Sequence, residues 1–279
     1  MLWSASHVVG FDIEAKDGPI GRVADFLFDD AAWTVRWMEI DTGTWLSGRK
    51  VLIPPSCLGE PRPKQRAFPV ELTRKQVEDS PDLAEDEPVS RQHEIRIYDY
   101  YGWEPYWMVR SWAGWAGGYP APFGVVPPER FPLATAGDRP LAPEIAKEIA
   151  ARSEGDPHLH STEDVLGHRV HASDGEIGHI DDFLLDREGW AIRYLVVDTG
   201  DWWPGKKVLV APQWMQEIDW PDRAIYCELS RAEVQSSPEF DPARPFEREA
   251  EERLHRHYRK PGYWLPPQAA AEDDRADRR

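Results

Sequence analysis

The chain has few cysteines, a deficit of positive charge and no long hydrophobic run, and each shortage excludes a class of protein. Its only cysteines are Cys57 and Cys227. They do not occupy equivalent positions in the repeat described below, so they do not indicate a disulfide framework and are interpreted as small apolar fillers. Scarce cysteine suits a reducing compartment, and the sequence therefore predicts a cytoplasmic protein.

The charge balance argues against polyanionic partners. The chain has 33 basic and 50 acidic residues, a formal net charge of −17. Binding to a phosphate backbone usually needs a basic surface, so nucleic acid is not expected as a partner. No apolar run approaches the roughly 18–20 residues that span a bilayer, and residues 1–7 have neither a basic nor an apolar stretch typical of a signal peptide. We therefore expect no membrane insertion.

What the chain does contain is a long internal repeat. Residues 10–81 align without a gap to residues 167–238 at a constant offset of 157 positions, and 30 of the 72 aligned positions are identical. The shared string includes Asp-Gly-x-Ile-Gly, Asp-Phe-Leu-x-Asp and Asp-Thr-Gly-x-Trp. A period this long is not that of a solenoid, and it indicates two copies of one domain.

Short strands dominate each copy. In the first copy, apolar residues lead from Val8 to Ile13 and then into Asp17-Gly18, a pair typical of a hairpin turn. Further strands are predicted at residues 20–29, 35–41, 51–54 and 67–72, with one helical turn at residues 73–77. Strands of this length and spacing favour a small barrel or sandwich. The predicted fold class is mainly β, with two small antiparallel β-barrels in tandem, each followed by an amphipathic helical arm.

The arms are predicted from apolar residues at four-residue steps, which form one stripe on a helix. Glu251 is placed with the charged residues on the other faces of the second arm. We infer that the stripes dock on the barrels. The predicted segments are a first barrel at 1–82, a helical arm at 83–110, a Gly/Pro/Trp-rich connector at 111–157, a second barrel at 158–240, a second arm at 241–266 and a charged disordered tail at 267–279.

The repeated string resembles the PRC-barrel family. The resemblance lies in the motifs above together with Arg193 to Gly200 and Gly205 to Val210, and it covers both repeats. It implies a small β-barrel of the kind found in the cytoplasmic domain of the photosynthetic reaction-centre H subunit and in the C-terminal domain of a ribosome maturation factor. Members mostly dock on protein partners, and no catalytic residue or cofactor is implied.

An enzymatic alternative rests on the two Asp-Thr-Gly triplets. Pepsin-like aspartic peptidases carry one such triplet in each of two related lobes, and their two carboxylates share a proton. Here Asp41 and Asp198 would form the dyad. Asp201 follows the second triplet where such enzymes have Ser or Thr, so we interpret the triplets as turns in which Gly takes positive φ.

A third hypothesis is a sensor that binds a small ligand or a metal between the barrels. Five histidines lie near the start of the second repeat, but their spacing matches no closed zinc site and the first repeat lacks them. They are therefore interpreted as solvent-facing strand residues, and no metal ligand is assigned. These histidines are His158, His160, His168, His171 and His179.

Tryptophans supply the candidate interaction residues. Four of the 14 lie in or near Gly-rich loops and are not repeated between the copies, namely Trp103, Trp112, Trp115 and Trp203. Aromatic side chains exposed in loops are favoured anchors for protein partners. The sequence therefore predicts a non-enzymatic protein-interaction or assembly module with a protein partner, and it leaves a homo-oligomer open. Asp25 and Arg36, repeated as Asp182 and Arg193, are predicted to form a structural cross-strand pair.

Overall fold

The fold is taken from a computed structural model that describes residues 2–62, 64–81, 89, 91–103, 158–200 and 206–265. The protein is mainly β. Its strands are β1 (Leu2–Ser4), β2 (Asp12–Ala15), β3 (Gly18–Asp29), β4 (Thr34–Asp41), β5 (Lys50–Ile53), β6 (Ala67–Pro69), β7 (Leu159–Ser161), β8 (Arg169–Ala172), β9 (Gly175–Asp186), β10 (Ile192–Asp198), β11 (Lys207–Val210), β12 (Met215–Asp219) and β13 (Ala224–Cys227). The α-helices are α1 (Ala5–Val8), α2 (Arg74–Glu78), α3 (Arg91–Tyr101), α4 (Thr162–Val165), α5 (Arg231–Ser236) and α6 (Arg248–Tyr258).

The chain divides into two compact units that follow the two repeats, apart from short segments. Unit 1 contains Met1–Val8, Ala32–Thr34 and Ser161–Arg279, and unit 2 contains Val9–Ala31 and Val35–His160. Each unit has its own sheet. The predicted repeat is therefore visible as two β-rich units built from equivalent strands.

In unit 2 the strands follow the order β5-β4-β3-β2-β6, and β7 pairs with β3. The Asp17-Gly18 turn joins β2 to β3, with Ala15 opposite Gly18 and Gly18 at φ 142°. Only glycine takes such a backbone conformation readily, which explains why the pair recurs at Asp174-Gly175. The predicted first strand is shorter than expected, because α1 occupies Ala5–Val8 and β2 begins at Asp12.

Unit 1 repeats this order with an added hairpin strand. Its strands follow β11-β10-β9-β8-β13-β12, and β1 pairs with β9. Strand β12 pairs with β13 from Met215 opposite Cys227 to Asp219 opposite Ala224. At the corresponding place, the described residues of unit 2 form no such strand pair but the isolated bridges of Leu58 with Val70 and of Arg62 with Ala67.

The sheets are not purely antiparallel as the sequence predicts. Strand β2 pairs with β6 in parallel, and β8 pairs with β13 in parallel. The reason is connectivity, since the chain passes through three other strands between β2 and β6 and through four between β8 and β13, and such a crossover permits parallel pairing. Among the described residues neither sheet is closed into a barrel.

Each sheet also takes one short strand from the segment that precedes the other repeat. In unit 1, Leu2 lies opposite Asp186, Trp3 opposite Leu185 and Ser4 opposite Leu184. In unit 2, β7, which precedes the second repeat in sequence, pairs with β3. The two strands are equivalent under the offset of 157 positions, so their positions in the two sheets are exchanged.

Helices complete the units. Thr73 and Ser230 cap the N-termini of α2 and α5 with a capping box. The hydroxyl of each capping residue accepts from the backbone N–H of Gln76 or Glu233, and the side chain of Gln76 or Glu233 accepts from the backbone N–H of the capping residue. Helices α3 and α6 lie within the segments where the sequence predicts the arms. None of the helices in the described part of the chain is long and apolar enough to cross a bilayer.

Candidate functional site: buried carboxylates and a groove beside α6

Each long helix has one buried glutamate that contacts a strand residue of its unit. Glu94 of α3 has 0% exposure and Glu251 of α6 has 3%. In unit 2, Nε1–H of Trp37 donates to Oε1 of Glu94 at 2.7 Å. In unit 1, the hydroxyl of Tyr194 lies 3.2 Å from Oε2 of Glu251. The pairs occupy equivalent positions, so both copies fasten the helix to the same strand through an aromatic donor and a buried carboxylate. The sequence places Glu251 among the charged residues off the apolar stripe, whereas its side chain is buried.

Unit 1 extends this contact into a network. The hydroxyl of Tyr263 donates to Oε2 of Glu251 at 2.7 Å, and an Nη of Arg248 lies 3.3 Å from its Oε1. Nε2 of His255 lies 2.8 Å from the hydroxyl of Tyr194. Tyr263 and Arg248 are donors, so both oxygens of this buried carboxylate have a polar partner.

The histidine of this network is held as a neutral ring. Burial lowers the pKa of His255, although hydrogen bonds to the carbonyls of Pro261 and Lys260 oppose the shift. Nδ1 lies 2.9 Å from the carbonyl oxygen of Pro261, so Nδ1 carries the proton, and the single O–H of Tyr194 is shared between Nε2 of His255 at 2.8 Å and Oε2 of Glu251 at 3.2 Å. Burial also raises the pKa of Tyr194 and of Tyr263. All three rings therefore keep fixed protonation states near neutral pH, which suits a structural clamp.

Two arginines cover the outer side of this clamp. The guanidinium of Arg193 lies 4.1 Å from the ring centroid of Tyr263, and that of Arg248 lies 4.1 Å from the ring centroid of Trp264. Such contacts stabilise by about 0.5–1 kcal/mol when exposed. Arg193 also binds Asp186, with 2.6 Å between an Nη and Oδ2. The segment that follows α6 is thereby folded back on the helix.

The predicted cross-strand pair has a different acidic partner. Arg36 binds Asp29 at 3.0 Å, as Arg193 binds Asp186 in the other copy. The register explains the correction, because Ile192 lies opposite Leu185 and therefore places Arg193 beside the end of β9. Asp182 serves another purpose, since it accepts hydrogen bonds from the hydroxyls of two N-terminal serines, Ser4 and Ser6, and from the backbone N–H of Ser6.

Both Asp-Thr-Gly triplets form turns. Oδ1 of Asp41 accepts from the N–H of Gly43 at 2.8 Å, and Oδ1 of Asp198 accepts from the N–H of Gly200 at the same distance. The threonine hydroxyls donate to backbone carbonyls across the loop. Each carboxylate thus has a local role in its own unit, which agrees with the interpretation as turns. The expected positive φ is found at Gly43, at 57°, but not at Gly200. The aspartic peptidase remains an untested hypothesis.

A cation shared by both repeats holds the end of each short helix. Nζ of Lys206 donates to the carbonyl oxygens of Gln235 at 2.6 Å and Ser237 at 2.7 Å. At the equivalent position, Arg49 donates to the carbonyl oxygen of Glu78 at 2.7 Å. Positive charge at a helix C-terminus satisfies carbonyls that the helix leaves open. Sequence reasoning missed this role, because one copy has Arg and the other Lys.

The five histidines are not uniformly solvent-facing. His168 is buried with 5% exposure, and His171 stacks on Tyr226 with ring centroids 5.0 Å apart. His158 and His160 both bind Asp30, at 2.9 Å and 3.1 Å. No cluster of three metal-ligating side chains occurs among the residues that the structure describes. These contacts do not add support for the sensor, which stays a hypothesis.

Of the four candidate tryptophans, one lies in the described chain. The ring of Trp103 stacks on Tyr101 with centroids 4.1 Å apart, and the side chain is half-buried at the end of α3. Trp112, Trp115 and Trp203 lie outside the described residues. Part of the Trp103 ring is therefore covered by Tyr101. A role of the four tryptophans in binding a protein partner stays a prediction.

A groove beside α6 is the feature that sequence reasoning missed. A cavity of about 190 Å³ has an apolar floor, and a neighbouring space of about 410 Å³ shares its Phe240 and Arg244. The floor is formed by Leu209, Phe240, Phe246, Ala250 and Leu254. We call these residues, together with the charged residues of the rim, the α6 groove. The rim is formed by Glu239, Asp241, Arg244 and Arg253.

The rim of the α6 groove is unevenly paired. Arg244 binds Asp241, with 3.1 Å between Nε and Oδ2. Arg253 is exposed and forms no ion pair within the described parts of the chain. The groove therefore combines an apolar floor with one cation that has no acidic partner there. The signal in the sequence was weak, because Phe240 and Phe246 stand in a stretch of prolines and charges.

Comparison with known proteins adds no family assignment. The chain matches no known family model, and no curated protein matches it.

Proposed function

We propose that the protein is a non-enzymatic protein-interaction or assembly module built from two PRC-barrel-like units, each completed by a helical arm. The polar residues at equivalent positions of the two repeats support this proposal, since they make bonds inside their own unit. The carboxylates of Glu94 and Glu251 fasten a helix, Asp41 and Asp198 close turns, and Lys206 ends a helix. The shared chemistry stabilises a scaffold.

The observation that carries the proposal is the α6 groove. An apolar floor with a charged rim is typical of a surface that receives an anchoring side chain of a protein partner. The cavity of about 190 Å³ is large enough for one bulky side chain. Because Arg253 has no acidic partner among the described residues, the best-fitting ligand is a peptide with a bulky apolar residue next to an acidic one.

Selection from random peptides tests the proposal and requires no identified partner. A phage-displayed library is panned against the full-length protein, and enriched peptides are synthesised and titrated by fluorescence anisotropy. We expect an apolar anchor beside Asp or Glu. Ala250→Arg places a long cation on the floor of the groove and should weaken binding at least about tenfold, which is 1.4 kcal/mol. Arg253→Glu should remove the preference for the acidic neighbour.

A matched control separates local from general effects. Ala232 is exposed on the short helix α5, so Ala232→Arg adds the same charge away from the groove and should leave the affinity unchanged. Equal binding of the peptides to Ala250→Arg and to the unmodified protein would contradict the proposal. Failure to enrich any peptide would likewise contradict the proposal that the α6 groove binds peptides.

A further inference from the structure

The two exchanged strands make chemically different contacts at equivalent positions. In unit 1, Trp3 of β1 lies under Arg187, with 4.7 Å from the guanidinium carbon to the ring centroid. In unit 2, His160 of β7 lies 3.1 Å from Oδ2 of Asp30. Positions 3 and 160 correspond under the offset of 157 positions, as do positions 30 and 187. The same structural place therefore holds an aromatic–cation pair in one sheet and a histidine–carboxylate pair in the other.

Neighbouring residues reinforce each pairing. Trp3 also meets Trp190 edge to face, with ring centroids 6.4 Å apart. His158, two residues before His160, adds a second hydrogen bond to Asp30 at 2.9 Å. The side chain of Asp30 is only 12% exposed. A hydrogen bond to a charged, largely buried carboxylate stabilises more than one on the surface.

The opposite assignment of strands would lose both contacts. If each strand paired with the repeat that follows it in the chain, Trp3 would face the carboxylate of Asp30 and His160 would face the guanidinium of Arg187. A carboxylate against an aromatic face lacks the attraction that a cation has there. An imidazole gains no acceptor from a guanidinium, and protonation would add like-charge repulsion. The flanking residues of the two strands do not distinguish them, since Leu2 and Ser4 are repeated as Leu159 and Ser161.

We propose that these two contacts sort the strands: the edge of β9 recognises the segment carrying Trp3 through Arg187, and the edge of β3 recognises the segment carrying His160 through Asp30. Each edge is a binding surface for a segment of this same chain. Its specificity comes from repulsive as well as attractive elements, as discrimination between similar partners requires. The inference does not depend on the proposed function.

Disulfide trapping measures the sorting in the full chain. Ser4 lies opposite Leu184 in the observed pairing, and Leu27 is the equivalent of Leu184 in the first repeat. With the native cysteines replaced (Cys57→Ser, Cys227→Ala), Ser4→Cys with Leu184→Cys reports the exchanged arrangement. Ser4→Cys with Leu27→Cys reports the alternative. Opposed strand residues are close enough for a disulfide, so we expect mainly the first crosslink.

The decisive variant interchanges the two recognition residues, Trp3→His with His160→Trp, while Asp30 and Arg187 stay in place. If each contact changes the preference about two- to fivefold, the ratio of the two crosslinks should shift toward Leu27 by about four- to 25-fold. A ratio unchanged within about twofold would overturn the proposal and assign the sorting to chain connectivity.

A second measurement decides the matter if the interchanged variant does not fold. Trp3→His and Arg187→Asp together rebuild the unit 2 pair inside unit 1. Each single change should lower the equilibrium constant for folding about two- to fivefold, and the double change should restore most of the loss. Restoration supports the pairwise contact, whereas simple addition of the two losses contradicts it. Chemical denaturation followed by circular dichroism measures all four proteins.

Discussion

The carboxylate of Glu251 offers the sharpest test of how α6 is held. It is 3% exposed and lies 2.7 Å from the hydroxyl of Tyr263 and 3.2 Å from that of Tyr194. A hydrogen bond to a charged group contributes about 1.5–3 kcal/mol, and loss of one partner in a buried cluster costs about 3–5 kcal/mol. The side chain of Arg248 is 47% exposed, so solvent screens its share.

From these contacts we expect Glu251→Ala to lower the free energy of unfolding by about 3–5 kcal/mol. Glu251→Gln keeps the shape and one acceptor oxygen, and should cost about 1–2 kcal/mol. Urea denaturation followed by circular dichroism gives the totals, and hydrogen exchange read by mass spectrometry locates the loss. The amides of α6 should exchange faster than those of α3, because α3 has its own carboxylate.

A neighbour on the same helix provides the control. Glu252 is exposed, so Glu252→Ala should change the free energy of unfolding by less than about 0.5 kcal/mol. If Glu251→Ala also falls within that limit, the buried network does not hold the helix and the reasoning fails. A loss spread equally over both long helices would likewise contradict a local clamp.

Three further outcomes are expected. Burial raises the pKa of Asp30, but the hydrogen bonds from His158 and His160 outweigh it and the net pKa is lowered. Asp30 therefore contributes fully to stability above the ordinary carboxyl pKa, and this contribution is lost as the pH falls through the lowered pKa. Asp30→Asn should flatten the acid limb of a curve of stability against pH. Gly178→Ala should lower the free energy of unfolding by about 3 kcal/mol or more, because a Cβ at this position would collide with the carbonyl oxygen of Asp198 and because φ is 138°. Thermal unfolding measures the effect, and an unchanged melting temperature would contradict this close approach of the two strands. Burial raises the pKa of Cys57 to about 12 and that of Cys227 to about 11, so a thiol reagent at neutral pH should react far more slowly with the native protein than with the unfolded one.

Several elements could be predicted from the sequence because the signal was local. The hairpin of β2 and β3 follows from Asp17-Gly18, and the turns after β4 and β10 follow from the Asp-Thr-Gly triplets, whose geometry needs no distant partner. The repeat itself showed that any element found in one copy should recur in the other. Local chemistry thus determined most strands within a few residues.

The missed features depend on long-range contacts. A strand of three residues such as β1 has no periodicity to detect, and its partner lies on β9, far along the chain. The burial of Glu251 could not be read from a helical pattern, because a glutamate in a charged stretch looks like any solvated one until Tyr194 and Tyr263 are placed beside it. The α6 groove was missed for the same reason.

The exchange of β1 and β7 also bears on how this protein is made and how it can change. During synthesis β1 emerges first but must wait for β9, so it stays unpaired while well over a hundred further residues are translated. Neither unit is a continuous stretch of chain. A recombination event that deleted one repeat with the strand before it would therefore leave the remaining repeat with the strand that pairs with the other sheet. Loss of one copy alone should thus be disfavoured.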